Sequence, residues 1–176
     1  MPDLAPAAIT GGMLENGVGQ RKLMSAITNL LAHPDAVGLK ANAPDWLLQR
    51  TDPEGVRLRG DISDVAGHEF HTLSGAAVSA SEASRLKFIP SEKDTAEALK
   101  TKLSRLLEMN RETMLQSYRT YGPENGFRRV PAVEEAIIDS IPQVSIDMLK
   151  DKPETAKQFD KAFGKGAAKL VLQHGG

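Results

Sequence analysis

Two of the four histidines in the chain stand three residues apart in the stretch AGHEFHTLSGA, Ala66 to Ala76, with Glu69 beside the first. Neutral imidazoles ligate divalent metals, and a neighbouring carboxylate can act as general base toward a metal-bound water. A zinc-protease helix sets its histidines at i and i+4. His68 and His71 stand at i and i+3, which shares one face of a helix but divides between the two faces of a strand. A third ligand would come from Asp61, Asp64, His33 or His174. The surrounding threonine, serine and glycine do not favour a helix, and polar side chains at a loop edge are the commoner case. The expectation is therefore no metal and no cofactor. A metal-dependent hydrolase built on His68, Glu69 and His71 stands as an alternative.

Three other motifs invite chemistry. Gly12 and Gly17 have the separation of the phosphate-loop glycines, but Val18 occupies the position of the lysine that reaches phosphate. A flexible lead-in to a helix accounts for the glycines equally well. Arg59-Gly60-Asp61 spells an adhesion tripeptide, a composition that a hairpin turn also wants. No Gly-x-Ser-x-Gly elbow is present, so the serine site of an α/β-hydrolase is not indicated.

Two basic groups remain. Arg119, Arg128 and Arg129 bracket the turn GPENG. Lys157, Lys161, Lys165 and Lys169 repeat every fourth residue, a spacing that aligns them if one helix runs through. Gly164 and Gly166 are expected to interrupt it. Such groups either form a solvated face or meet nucleic-acid phosphate. The second alternative is accordingly a nucleic-acid-binding module using Lys157, Lys161, Lys165, Lys169, Arg119, Arg128 and Arg129.

The totals narrow the field. The chain has 176 residues, 22 Lys and Arg against 23 Asp and Glu, and a net charge of −1. No whole-molecule field gathers nucleic acid or acidic lipid. The absence of cysteine excludes disulfides, thiolate ligands and a cysteine nucleophile. The first residues lack the basic and apolar regions of a secretory signal, and no apolar run nears the ~18 residues of a membrane span. A cytoplasmic location is the default expectation.

The elements that must position these residues are mostly helical. Residues 1–19 hold two prolines and four glycines and read as an extended N-terminal arm. A helix is expected from Gln20 to Ala32, with Leu23, Ile27, Leu30 and Leu31 on one face. A short helix follows around Trp46. Val56 and Leu58 alternate with arginines before Gly60-Asp61, which predicts a small β-hairpin near 55–73. A short helix over Ser81 to Ile89 comes next. Ser91 and Asp94 have capping-box spacing and open the longest helix, about 94–121. At ~1.5 Å per residue it would measure about 40 Å, long enough to be a central strut or to pair with another subunit. Leu99, Leu103, Leu106, Met114 and Tyr118 form its stripe and are the expected protein interface. Pro131 and Pro153 begin further helices, a short apolar piece spans Val144 to Leu149, and a last helix covers Ala167 to Gln173. The predicted fold is mainly α, an irregular helical bundle around the long helix, with 20–176 as a single domain.

The tail PETAKQFDKAFGKGAAKLVL, Pro153 to Leu172, resembles C-terminal segments of some bacteriophage virion and prophage-encoded proteins. The matching features are Phe159-Asp160, Phe163-Gly164-Lys165-Gly166-Ala167-Ala168 and Leu170. The resemblance carries no catalytic residue. It implies a virion structural component that packs against copies of itself or its neighbours. The leading expectation is thus a non-enzymatic assembly or interaction subunit, working through helix packing and the N-terminal arm, with protein as partner in a homo-oligomer or larger assembly.

Overall fold

The computed structural model describes residues 7–38, 52–74 and 89–174. Among them the regular elements are all helical: α1 Ala7–Ala32, α2 Pro53–Ser74, α3 Ala96–Tyr121, α4 Pro131–Asp139, α5 Gln143–Asp151, α6 Ala156–Phe163 and α7 Ala167–His174. Short 3-10 turns begin at Pro34, Pro123 and Pro153. The fold class is mainly α. The expected helices around Trp46 and over Ser81 to Ile89 fall outside the described residues, apart from Ile89 itself.

Two expectations are corrected. The extended arm over 1–19 gives way to helix from Ala7 onward, so the helix expected from Gln20 starts earlier. Gly11 and Gly12 are exposed with open space around them; each costs the helix about 1 kcal/mol and neither breaks it. The β-hairpin near 55–73 is replaced by α2. Leu58, Ile62 and Val65, at i, i+4 and i+7, are all buried, so the helical period overrides the short alternation of Val56 and Leu58. Asp52 precedes Pro53 and accepts the Gly55 amide at 3.2 Å, while proline at the first helical position forfeits no intrahelical bond.

The contacts gather into two compact units. The first comprises Met1–Arg21 and Leu107–Gly176, the second Lys22–Leu106. The boundaries fall inside α1 and α3.

In the second unit, Leu23, Ala26 and Leu30 of α1, Leu58, Ile62 and Val65 of α2, and Leu99 and Leu103 of α3 are buried. Asp61, read as a turn residue, accepts hydrogen bonds from Asn29 Nδ2 at 2.5 Å and Ser25 Oγ at 3.2 Å, tying α2 to α1. Arg59 is buried and donates to the Ala36 carbonyl at 2.6 Å, so the adhesion tripeptide lies within a helix and is not presented on a turn. The capping-box pair forms its reciprocal bond, Ser91 N to Asp94 Oδ2 at 2.9 Å, but in a turn before the helix. Thr95 caps α3 instead, its hydroxyl accepting from Ala98 N at 3.3 Å.

In the first unit, Met13, Met114, Leu115, Val133, Ile137, Leu149, Phe159 and Leu170 anchor one apolar core. Gly17 faces it from α1: a Cβ there would lie 3.4 Å from the Cβ of Ala136, so the small residue allows the two helices their close approach. The phosphate-loop reading falls with this, because Gly12 and Gly17 both lie within helix and leave no loop of amides to cradle an anion. The irregular step in the stripe near Asn110 places two polar side chains. Asn110 donates to the Asn16 carbonyl at 3.0 Å. Arg111 is buried, donates to the carbonyls of Phe163 and Ser140 at 3.2 and 3.3 Å, and stacks 5.3 Å from the Phe163 ring centre. Burial lowers its pKa, partly opposed by nearby Glu108.

Candidate functional site

The densest set of interacting polar side chains lies in the first unit, around Glu134. This residue belongs to the first turn of α4, which Pro131 opens. Its side chain has no exposed surface. A carboxylate so placed must have its lone pairs filled. Arg129, just before the helix, donates Nε to Oε1 at 3.1 Å and Nη2 to Oε2 at 2.6 Å. Tyr118, on α3, donates its hydroxyl to Oε1 at 2.6 Å. His174 Nε2, at the end of α7, lies 2.6 Å from Oε2, which requires that nitrogen to carry the hydrogen.

The electrostatics follow from these contacts. Burial alone would raise the Glu134 pKa, but hydrogen bonds from Arg129, Tyr118 and His174 hold it down at about 2. Tyr118 is pushed well above its ordinary value by burial and by its bond to the carboxylate. Arg129 is raised by its bond to Glu134. Glu134 is thus a buried anion with both oxygens engaged by neighbouring side chains.

Beside this cluster lies a cavity of about 400 Å³ lined by Leu115, Tyr118, Pro123, Leu170, Arg119 and Lys169, with Arg129, Glu124, Gly166 and Gln173 completing it. Lys169 is ion-paired with Glu124. The Arg119 stem packs against Gly166, where an added Cβ would lie 3.6 Å from Cδ. Asn125 holds the end of α3 in place by donating to the carbonyls of Arg119 and Thr120, at 2.5 and 3.1 Å.

The structure brings together some of the residues singled out in the sequence. Arg119, Arg129 and Lys169 share this cavity; Arg128, Lys157, Lys161 and Lys165 do not line it. The lysine spacing is broken between α6 and α7, where Gly164 and Gly166 adopt φ of 105° and 94°. Of the expected interface stripe, Leu99, Leu103 and Met114 have no exposed surface, and Leu106 and Tyr118 are partly buried. The chain itself covers Leu99, Leu103 and Met114.

His68, Glu69 and His71 all belong to α2, a helix where a loop edge was expected. The i, i+3 spacing therefore keeps the two histidine positions near one face of the helix. The side chain of His71 lies outside the described residues. Burial raises the Glu69 pKa, and His68 acts in the opposite direction. Among the described residues no group of three or more His, Cys, Asp or Glu is placed to hold a metal ion. Of the other suggested ligands, His33 lies 4.0 Å from Glu54, and His174 and Asp61 are engaged as described. No described helix is long and apolar enough to cross a membrane.

Sequence reasoning missed Glu134 and His174 as partners. The one available signal was an acidic residue in the first turn of a proline-opened helix, five residues after an arginine. No family model, curated protein or solved structure matches the chain.

Proposed function

We propose that the protein is a non-enzymatic interaction subunit that assembles with copies of itself or with neighbouring proteins, as a virion structural component would. The observation that carries this reading is the two-sided character of α5. Ile146 and Leu149 are buried in the core of the first unit, while Val144 and Met148, one turn apart, are 75% and 57% exposed. A helix apolar on both sides is the pattern of one meant to be covered on both. In this reading the contact surface is α5, because Leu99, Leu103 and Met114 of the long-helix stripe are already buried. Helix at Ala7–Gly19 likewise replaces a flexible arm as the docking element from the N-terminal side.

The polar cluster supports the same reading. Glu134, Tyr118, Arg129 and His174 spend their hydrogen bonds on one another, which suits a structural lock. The test is the mass in solution by light scattering, together with a photo-crosslinker placed at position 144. The expected result is a species above monomer mass, dissociated by the pair Val144→Asp and Met148→Asp without loss of thermal stability. A monomer at every concentration that crosslinks to no protein through position 144 would end the reading.

A further inference from the structure

The cavity beside Glu134 has an asymmetry that internal structure does not use. Leu115, Pro123, Leu170 and Tyr118 give it apolar lining, and its cations are Arg119, Arg129 and Lys169. Two of the three are matched. Arg129 is bound through two nitrogens to Glu134, and Lys169 is paired with Glu124. Among the described residues, Arg119 has no carboxylate within ion-pairing distance. Arg119 is an exposed residue whose backbone carbonyl accepts from Asn125 and whose stem rests against Gly166, so its backbone is held while its guanidinium has no carboxylate partner among the described residues.

We propose that this cavity binds a small organic monocarboxylate with an apolar body. The carboxylate meets the guanidinium of Arg119, and the body lies on Leu115, Pro123 and Leu170. Three properties select this class. The volume, about 400 Å³, falls in the range of small-molecule sites and well exceeds what a simple inorganic ion fills. Three cations against two carboxylates leave one positive charge, which a monoanion neutralises and a phosphate dianion overshoots. The two matched cations already hold carboxylates, and a guanidinium fork fits that group by shape as well as charge. Glu124 and Glu134 disfavour a second negative charge on the ligand. The proposal is independent of the assembly role: it uses α3, α7 and the Pro123 turn, and the α5 face takes no part in it.

The experiment is a titration of the full chain, with isotope-labelled leucine methyls, using sodium hexanoate, sodium acetate, hexan-1-ol and hexyl phosphate as probes. Hexanoate is expected to shift the Leu115 and Leu170 methyls saturably. It should bind at least about tenfold more tightly than acetate, since each buried methylene contributes a factor of roughly four. Hexan-1-ol and hexyl phosphate are expected to bind more weakly than hexanoate. Arg119→Gln should weaken hexanoate by about tenfold or more, and Arg119→Lys should restore part of the loss. Both variants are to be matched to the parent in thermal stability, and a titration of the parent monitored through its melting temperature supplies a second readout. Shifts that stay linear to about 20 mM hexanoate, weaker than any useful site, overturn the proposal. So does equal binding of acetate, of hexan-1-ol or of hexyl phosphate, or unaltered hexanoate binding by Arg119→Gln.

Discussion

Arg129 and Glu134 are five residues apart and form a two-pronged ion pair in which one member is 57% exposed and the other fully covered. The pair reaches from solvent into the interior. Its outer member keeps its hydration and pays little desolvation, while its inner member is further compensated by Tyr118 and His174.

That asymmetry predicts a pH effect. The carboxyl of Glu134 has an ordinary pKa of 4.5 and stands at about 2 in the fold. The folded state therefore binds fewer protons than the unfolded state between these values. The stabilisation is fully present above about 4.5 and is lost as pH falls toward 2. The contribution is of order 3 kcal/mol. Glu134→Gln should cost roughly 2–4 kcal/mol at neutral pH and flatten the acid limb in urea unfolding. An acid limb of unchanged steepness in the variant would contradict the assignment.

Gln20 is buried completely, and among the described residues neither its amide nitrogen nor its carbonyl oxygen has a partner. Its replacement by methionine keeps shape and length and removes the unmatched polar atoms. Calorimetry should show Gln20→Met more stable by about 1 kcal/mol.

Asp160 closes the turn between α6 and α7. Its two oxygens accept the amide of Gly166, just before α7, at 3.0 Å and that of Ala168, in the first turn of α7, at 2.8 Å. Asp160→Ala should lose about 1–2 kcal/mol and Asp160→Asn about half as much, since asparagine keeps an acceptor but gives up the charge at the helix start. Equal losses in denaturant titrations would assign the whole effect to charge.

Gly164 sits at φ 105°, and a Cβ there would stand 2.7 Å from Leu115 Cδ1. Gly164→Ala carries both a backbone cost and a collision, together about 2–4 kcal/mol. In a double-mutant cycle with Leu115→Ala the collision should be relieved and the backbone part should remain.

These residues show what was readable in the chain. The long helix was legible because Leu99, Leu103 and Met114 repeat at helical spacing over a stretch free of Gly and Pro, and its break at Gly122-Pro123 is plain in the sequence. The first turn of α4 was legible from Pro131. What failed was the weighing of glycine. Gly11, Gly12 and Gly60 were read as breakers, yet all three lie within helices at exposed positions with no neighbour near a would-be Cβ. There tertiary burial of Met13, Leu58 and Ile62 outweighs about 1 kcal/mol of propensity per glycine. The cluster at Glu134 was hidden for another reason. Tyr118 and His174 come from segments remote from Arg129 and Glu134, and beyond the five-residue spacing of that pair no local pattern encodes a meeting that only packing creates. The tail pattern Phe159-Asp160 to Ala168 was visible but gave no mechanism; the Asp160 bonds to Gly166 and Ala168 supply a structural one.

The division of the first unit between the two ends of the sequence bears on how the chain matures during synthesis. Met13 leaves the ribosome about a hundred residues ahead of Met114 and Val133, against which its core is completed. The stretch Lys22–Leu106 is translated in full before most of those partners exist, so it can condense first while the leading segment waits. A ribosome stalled before α4 should therefore carry a nascent chain whose α1 start is open to chaperones or protease, and release past α7 should close it.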